Sequence, residues 1–152
     1  MRNSPLIFVF SVLTLVIGAA LEEIFPKVAD VGFPVLLVAV QFMAARRPAF
    51  AAAVFAVAAG AMEDAVSSLP VMTSVSYFLA VGLLTRKIGF SRMLAAVSYP
   101  VYQVWLAIWV GALGGGVFNR ILLAMPIGLA TAFAAGEVLS FFERKSAVYE
   151  QG

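Results

Sequence analysis

The chain has 152 residues, 63% of them hydrophobic and only 12% charged, with a mean hydropathy of +1.03. Soluble domains run near half apolar and about a quarter charged, so a water-soluble core of this size is excluded and lipid is the expected solvent. Net charge is +2, yet the ten basic residues are scattered through short loops rather than along one face, which excludes nucleic acid; the absence of Cys and His removes disulfides, thiol and imidazole chemistry, and the usual zinc and haem sites.

Hydropathy and helix breakers divide the chain into six apolar segments, predicting an all-α integral membrane domain. The first, Pro5–Leu21, follows Met1-Arg2-Asn3 and reads as a membrane helix rather than a signal peptide ending near Gly18-Ala19-Ala20. The second, Val31–Ala45, carries Pro34 near its start, where a neighbouring helix can satisfy a freed carbonyl, and ends on Arg46-Arg47-Pro48. The third is Ala49–Met62, with Pro48 suited to a first helical turn. Ser67-Ser68-Leu69 then reads as a turn leading into the fourth, Pro70–Leu84. Met93–Leu113 is the fifth, closed by the glycines between Gly111 and Gly116; the sixth is Ile121–Phe142, with Pro126 inside it. A spanning helix needs ~20 residues. The last two segments meet that length, whereas the three middle ones must recruit flanking residues or thin the bilayer.

Loop charge predicts orientation. With a cytoplasmic N-terminus, Arg2, Arg46, Arg47, Arg86, Lys87, Arg92, Arg144 and Lys145 fall inside, and only Lys27 and Arg120 outside. Over loops this short the excess of Lys and Arg marks the cytoplasmic side, so both termini are expected there, in a bacterial inner membrane. Glu22, Glu23, Asp30, Glu63 and Asp64 fall on the outer side.

Ala52, Ala56, Gly60 and Asp64 recur every four residues on the third segment and share one helix face. Small residues at that spacing let another helix approach closely, within the bundle or from a partner. The face ends in the carboxylate pair Glu63-Asp64, an interfacial acidic turn in the plainest reading. The alternative is that Asp64 organises the turn, caps the next helix, or pairs across an interface. Glu137 is the one charge well inside a segment, and Glu is too short to snorkel. Its expected partner is Arg86, Lys87 or Arg92, with a protein interface or ligand pocket as alternatives. Gly128, Ala132 and Gly136 form a second small-residue face just before it. Tyr99, Tyr102, Trp105 and Trp109 on the fifth segment read as packing or an interfacial belt rather than a pocket wall. Gly114-Gly115-Gly116 lacks the Lys-Ser or Lys-Thr of a phosphate loop. No catalytic, cofactor-binding or metal-ligating set is expected, and no enzyme.

Residues Val31 to Leu84 resemble the rod shape-determining membrane protein family MreD. The resemblance is carried by Arg46-Arg47-Pro48, by Gly60 four residues before Asp64, and by a short turn into a new apolar helix at Ser67-Ser68-Leu69-Pro70. Many members have glycines in that turn; this chain has serines and a proline. The resemblance implies six spans with cytoplasmic ends and a non-enzymatic role in the bacterial cell-elongation complex for peptidoglycan synthesis. Its implied partners are MreC and, through it, MreB, RodA and a class B penicillin-binding transpeptidase. The rival expectation is a substrate-binding membrane subunit of a vitamin or micronutrient transporter. That reading calls for an outward pocket, with Glu63, Asp64, Gln103 and Asn119 as its polar candidates.

Overall fold

The computed structural model describes residues 5–24, 31–70, 72–111 and 116–149. These form six α-helices: α1 Pro5–Ile24, α2 Val35–Arg46, α3 Ala49–Val66, α4 Thr73–Ile88, α5 Arg92–Val110 and α6 Gly116–Tyr149. Three stretches, Ala49–Val66, Arg92–Val110 and Phe118–Phe142, are long and apolar enough to cross a membrane.

Helix α2 is the hub. Residues Leu36 to Ala44 are all buried, and α2 packs against each of the other five helices. A helix that is apolar on every side has no solvent face, so it belongs at the centre of a bundle. Its one buried polar side chain, Gln41, donates through Nε2 to Ser98 Oγ on α5 at 2.9 Å. At twelve residues it is only ~18 Å long. Around it the exposed surface is rich in large apolar side chains, including Phe50 at 82% exposure and Met93 and Phe118 near 70%. Soluble monomers do not present a surface of that kind; lipid suits it.

Helix ends differ from the sequence expectation in ways that have local causes. Pro34 is the N-cap of α2, not a kink within it, so the helix starts at Val35 rather than Val31. Helix α3 runs past Met62 to Val66, which places Glu63 and Asp64 in its last turn. Pro70 is not a first helical turn: its carbonyl accepts from Thr73 N–H and Thr73 Oγ1, at 3.2 and 2.7 Å, and α4 begins only at Thr73. Helix α4 then continues to Ile88, carrying Arg86 and Lys87 in its last turn, where cations suit the helix dipole. Gly111, with φ +69°, ends α5 at Val110 rather than Leu113. Residues 112–115 lie outside the described residues, as do Arg2, Lys27 and Asp30. Helices α1 and α6 exceed the expected segments, reaching Ile24 and covering Gly116–Tyr149.

Contacts between ends sort the bundle into two poles. Arg86 donates to the Arg47 carbonyl at 2.7 Å, and Arg92 pairs with Glu137, so the ends of α2 and α4 and the starts of α3 and α5 share a basic pole. The ends of α1 and α3 meet the starts of α2 and α4 at the opposite, acidic pole through Glu22 and Asp64.

Candidate functional site

The α3–α4 junction is built from the residues that stood out in the sequence. Ser67 N–H donates to the Glu63 carbonyl and Leu69 N–H to the Asp64 carbonyl, both at 2.9 Å. The second is the six-to-one bond of a Schellman ending, with Ser68 in the left-handed position at φ +52°. The Asp64 side chain meanwhile turns to the next helix. Its Oδ1 accepts from Ser74 N–H at 2.8 Å in a buried bond, satisfying one of the free donors of the first turn of α4. One aspartate therefore closes α3 through its backbone and caps α4 through its carboxylate. Its anion also faces the favourable end of the α4 dipole.

Gly60 lies one turn earlier on the same face. A Cβ there would stand 2.5 Å from Val75 Cα and 2.6 Å from Val75 N, so α3 and α4 touch backbone to backbone. Ala52, Ala56 and Gly60 are all buried, and α3 packs on α2 and α4. The small-residue face is thus occupied inside the bundle rather than presented to a partner. Phe55 and Ala59, not singled out beforehand, complete the buried stripe. The second small-residue face is likewise internal: Gly128 packs on Tyr99 and Ala96 of α5.

Glu22 repeats the Asp64 arrangement at the α1–α2 junction. Its Oε1 accepts from Leu36 N–H, near the start of α2, at 2.8 Å. The earlier helix of each hairpin thus supplies a carboxylate that caps the later one. Only the parallel with Asp64 would have marked Glu22, since its partner is fourteen residues away across residues 25–30.

Three of the four aromatic residues of α5 pack inside the bundle, as the packing reading expects, and each also makes a polar bond there. Tyr102 OH bonds Ser74 Oγ, Trp105 Nε1–H donates to the Thr73 carbonyl at 2.9 Å, and Tyr99 OH donates to the Gly32 carbonyl at 2.6 Å. Tyr77 of α4 donates to the Ser98 carbonyl and stacks on Tyr102 with ring centroids 5.0 Å apart. Only Trp109 of the four is largely exposed. These side chains pin the starts of α2 and α4 to α5, each bringing an apolar body and a polar tip to a crowded junction.

Glu137 lies at the other pole, on the bundle surface, paired with Arg92 of α5, one of its three expected basic partners. Arg92 also lies over the Phe133 ring at 4.6 Å, and Arg46 over Phe42 at 4.1 Å. Arg47 offers its carbonyl to Arg86, and Pro48 is the N-cap of α3.

Between the hairpin junctions, α5 and the start of α6 lies a cavity of about 300 Å³. Glu22, Glu63, Tyr99, Tyr102, Gln103 and Arg120 reach it against an apolar wall of Phe33, Leu37, Phe78 and Leu106. Of the four polar residues expected at an outward pocket, Glu63 and Gln103 line it; Asp64 is committed to α4, and Asn119 is exposed elsewhere. Tyr99, Tyr102, Glu22 and Arg120 were missed, because their convergence depends on which helices adjoin. A second cavity, about 520 Å³ and apolar, lies between α1, α2 and α6. Compared with family models, curated proteins and solved structures, the chain finds no match.

Proposed function

We propose that the chain is a six-span protein of the bacterial inner membrane with both termini cytoplasmic, a non-enzymatic scaffold of the cell-elongation complex in the manner of MreD. The observation that carries this reading is the α3–α4 junction. Gly60, Asp64 and the Ser67–Pro70 turn, on which the resemblance to MreD rests, work as one unit: a backbone contact, a helix ending and a helix cap. Orientation is supported by the basic pole, where Arg47, Arg86 and Arg92 gather, since Lys and Arg favour the cytoplasmic side. Helix α2 is short for a span, but five neighbours surround it, so those neighbours meet the lipid in its place. Its partners in this reading are MreC and, through it, MreB, RodA and a class B penicillin-binding transpeptidase. Co-purification with MreC from membranes tests the proposal, together with rescue of rod shape in cells depleted of their own MreD. Failure of both by a chain present at normal membrane levels refutes it.

One observation favours a second reading, a substrate-binding membrane subunit of a vitamin or micronutrient transporter. The cavity at the acidic pole combines an apolar wall with a few convergent polar groups, the usual make-up of a small-molecule site. Co-purification with a transport ATPase instead of MreC would move the assignment there.

A further inference from the structure

The cavity at the acidic pole holds an electrostatic arrangement that the fold alone leaves incomplete. Glu22 and Glu63 approach from α1 and α3 with their carboxyls within hydrogen-bonding reach of each other. One Glu22 oxygen is used by Leu36 N–H; the other, Oε2, is buried with no donor among the described residues. Two carboxyls thus face each other in a low-dielectric setting, where like charges repel strongly unless a proton or a cation joins them. Besides these two carboxyls the lining offers one basic group, Arg120. Tyr99, Tyr102, Phe33 and Phe78 place aromatic rings on the same enclosure, and ring faces attract organic cations. Among the described residues no group of three or more acidic side chains converges as a metal ion would ask. A volume of about 300 Å³ suits a small molecule.

We propose that this cavity binds a small organic ligand bearing one ammonium group, held by Glu22 and Glu63, with its apolar body against the aromatic wall. The site belongs to the cavity and stands whether the chain acts as a scaffold or as a transport subunit.

The test uses the full chain in lipid nanodiscs, with phenethylammonium as probe and neutral 2-phenylethanol as its control, read by calorimetry and by unfolding temperature. Phenethylammonium should bind saturably and raise the unfolding temperature, while 2-phenylethanol should do neither. Glu63 accepts from Ser67 Oγ at 3.1 Å, an acceptor that glutamine keeps, so Glu63→Gln should fold and weaken phenethylammonium binding about tenfold or more. Arg120→Gln removes the competing positive charge and should tighten binding; it serves as the second variant should Glu63→Gln fail to fold. Equal binding of the neutral control, wild-type affinity in both variants, no binding by the wild type, or the same saturable stabilisation by sodium chloride alone would each overturn the assignment.

Discussion

Replacing Gly60 with alanine adds one methyl group at the tightest approach between α3 and α4. The new Cβ would stand 2.5 Å from Val75 Cα, whereas carbon atoms settle at about 3.5–4.0 Å. The atom it meets is backbone, which cannot rotate away, so the helices must part by roughly 1 Å at this point. That shift falls on the Asp64–Ser74 bond, now 2.8 Å; beyond about 3.5 Å it ceases to be a hydrogen bond. Overpacking costs about 1–3 kcal/mol, and loss of a hydrogen bond to a charged acceptor about 1.5–3 kcal/mol. Alanine's better helix propensity returns about 1 kcal/mol. The net expectation is a loss of about 1.5–5 kcal/mol. Unfolding in mixed micelles, followed by tryptophan fluorescence, reads this directly, because Trp105 is bonded to Thr73 at the start of α4. Two glycines on α6 grade the result. At Gly128 a Cβ would come 3.1 Å from Tyr99 Cβ, and at Gly136 only 3.7 Å from the Phe90 ring. Stability should therefore fall most for Gly60→Ala, less for Gly128→Ala, and not at all for Gly136→Ala. Equal stability of Gly60→Ala and Gly136→Ala would refute the backbone contact.

Other perturbations probe the same junction and the proposed topology. Asp64→Asn keeps an acceptor for Ser74 N–H whereas Asp64→Ala leaves a buried donor bare, so in unfolding assays alanine should lose about 1–3 kcal/mol and asparagine less. Equal losses from the two would show that the charge, not the acceptor, matters. Ser68 holds φ +52°, so Ser68→Gly should raise stability by about 1 kcal/mol; a loss instead would mean that the serine side chain is needed there. The chain has no cysteine, so single cysteines at exposed Ser68 and Ser91 can be labelled from each side of the membrane. Reaction of Ser68→Cys from outside and Ser91→Cys from the cytoplasm is expected, and labelling of both from one side would overturn the six-span topology.

Much of the α3–α4 junction is legible in the sequence because its signals are local. A four-residue repeat puts Ala52, Ala56, Gly60 and Asp64 on one face, and an acid one short turn ahead of a new helix can reach its free N–H groups. The extent of α3 is not legible in the same way: hydropathy drops at Glu63, yet the helix runs on while its backbone bonds continue to Val66. Helix α2 was hidden for a different reason. An apolar run looks alike whether it is wrapped by protein or by lipid, so periodicity does not show which span is central. Gln41 is the trace of that position, but its partner Ser98 is 57 residues away. The cavity was half legible. Glu63 and Gln103 stand out as polar groups near the predicted outer side, whereas Tyr99 and Tyr102 look like an ordinary aromatic stripe until the α1–α2 and α3–α4 junctions are seen beside them.

An α2 buried from Leu36 to Ala44 also bears on biosynthesis in the proposed membrane setting. A twelve-residue helix covers little more than half of the ~30 Å hydrocarbon layer. Released alone into lipid, it would leave its end groups stranded at depth, where each bare backbone polar group costs several kcal/mol. Of the five helices that cover it, α3 to α6 follow it in the chain and only α1 precedes it. Early in synthesis the nascent chain therefore has a central helix but most of its casing is still unmade. In that setting α2 would need shelter until α3 and α4 emerge to cover it.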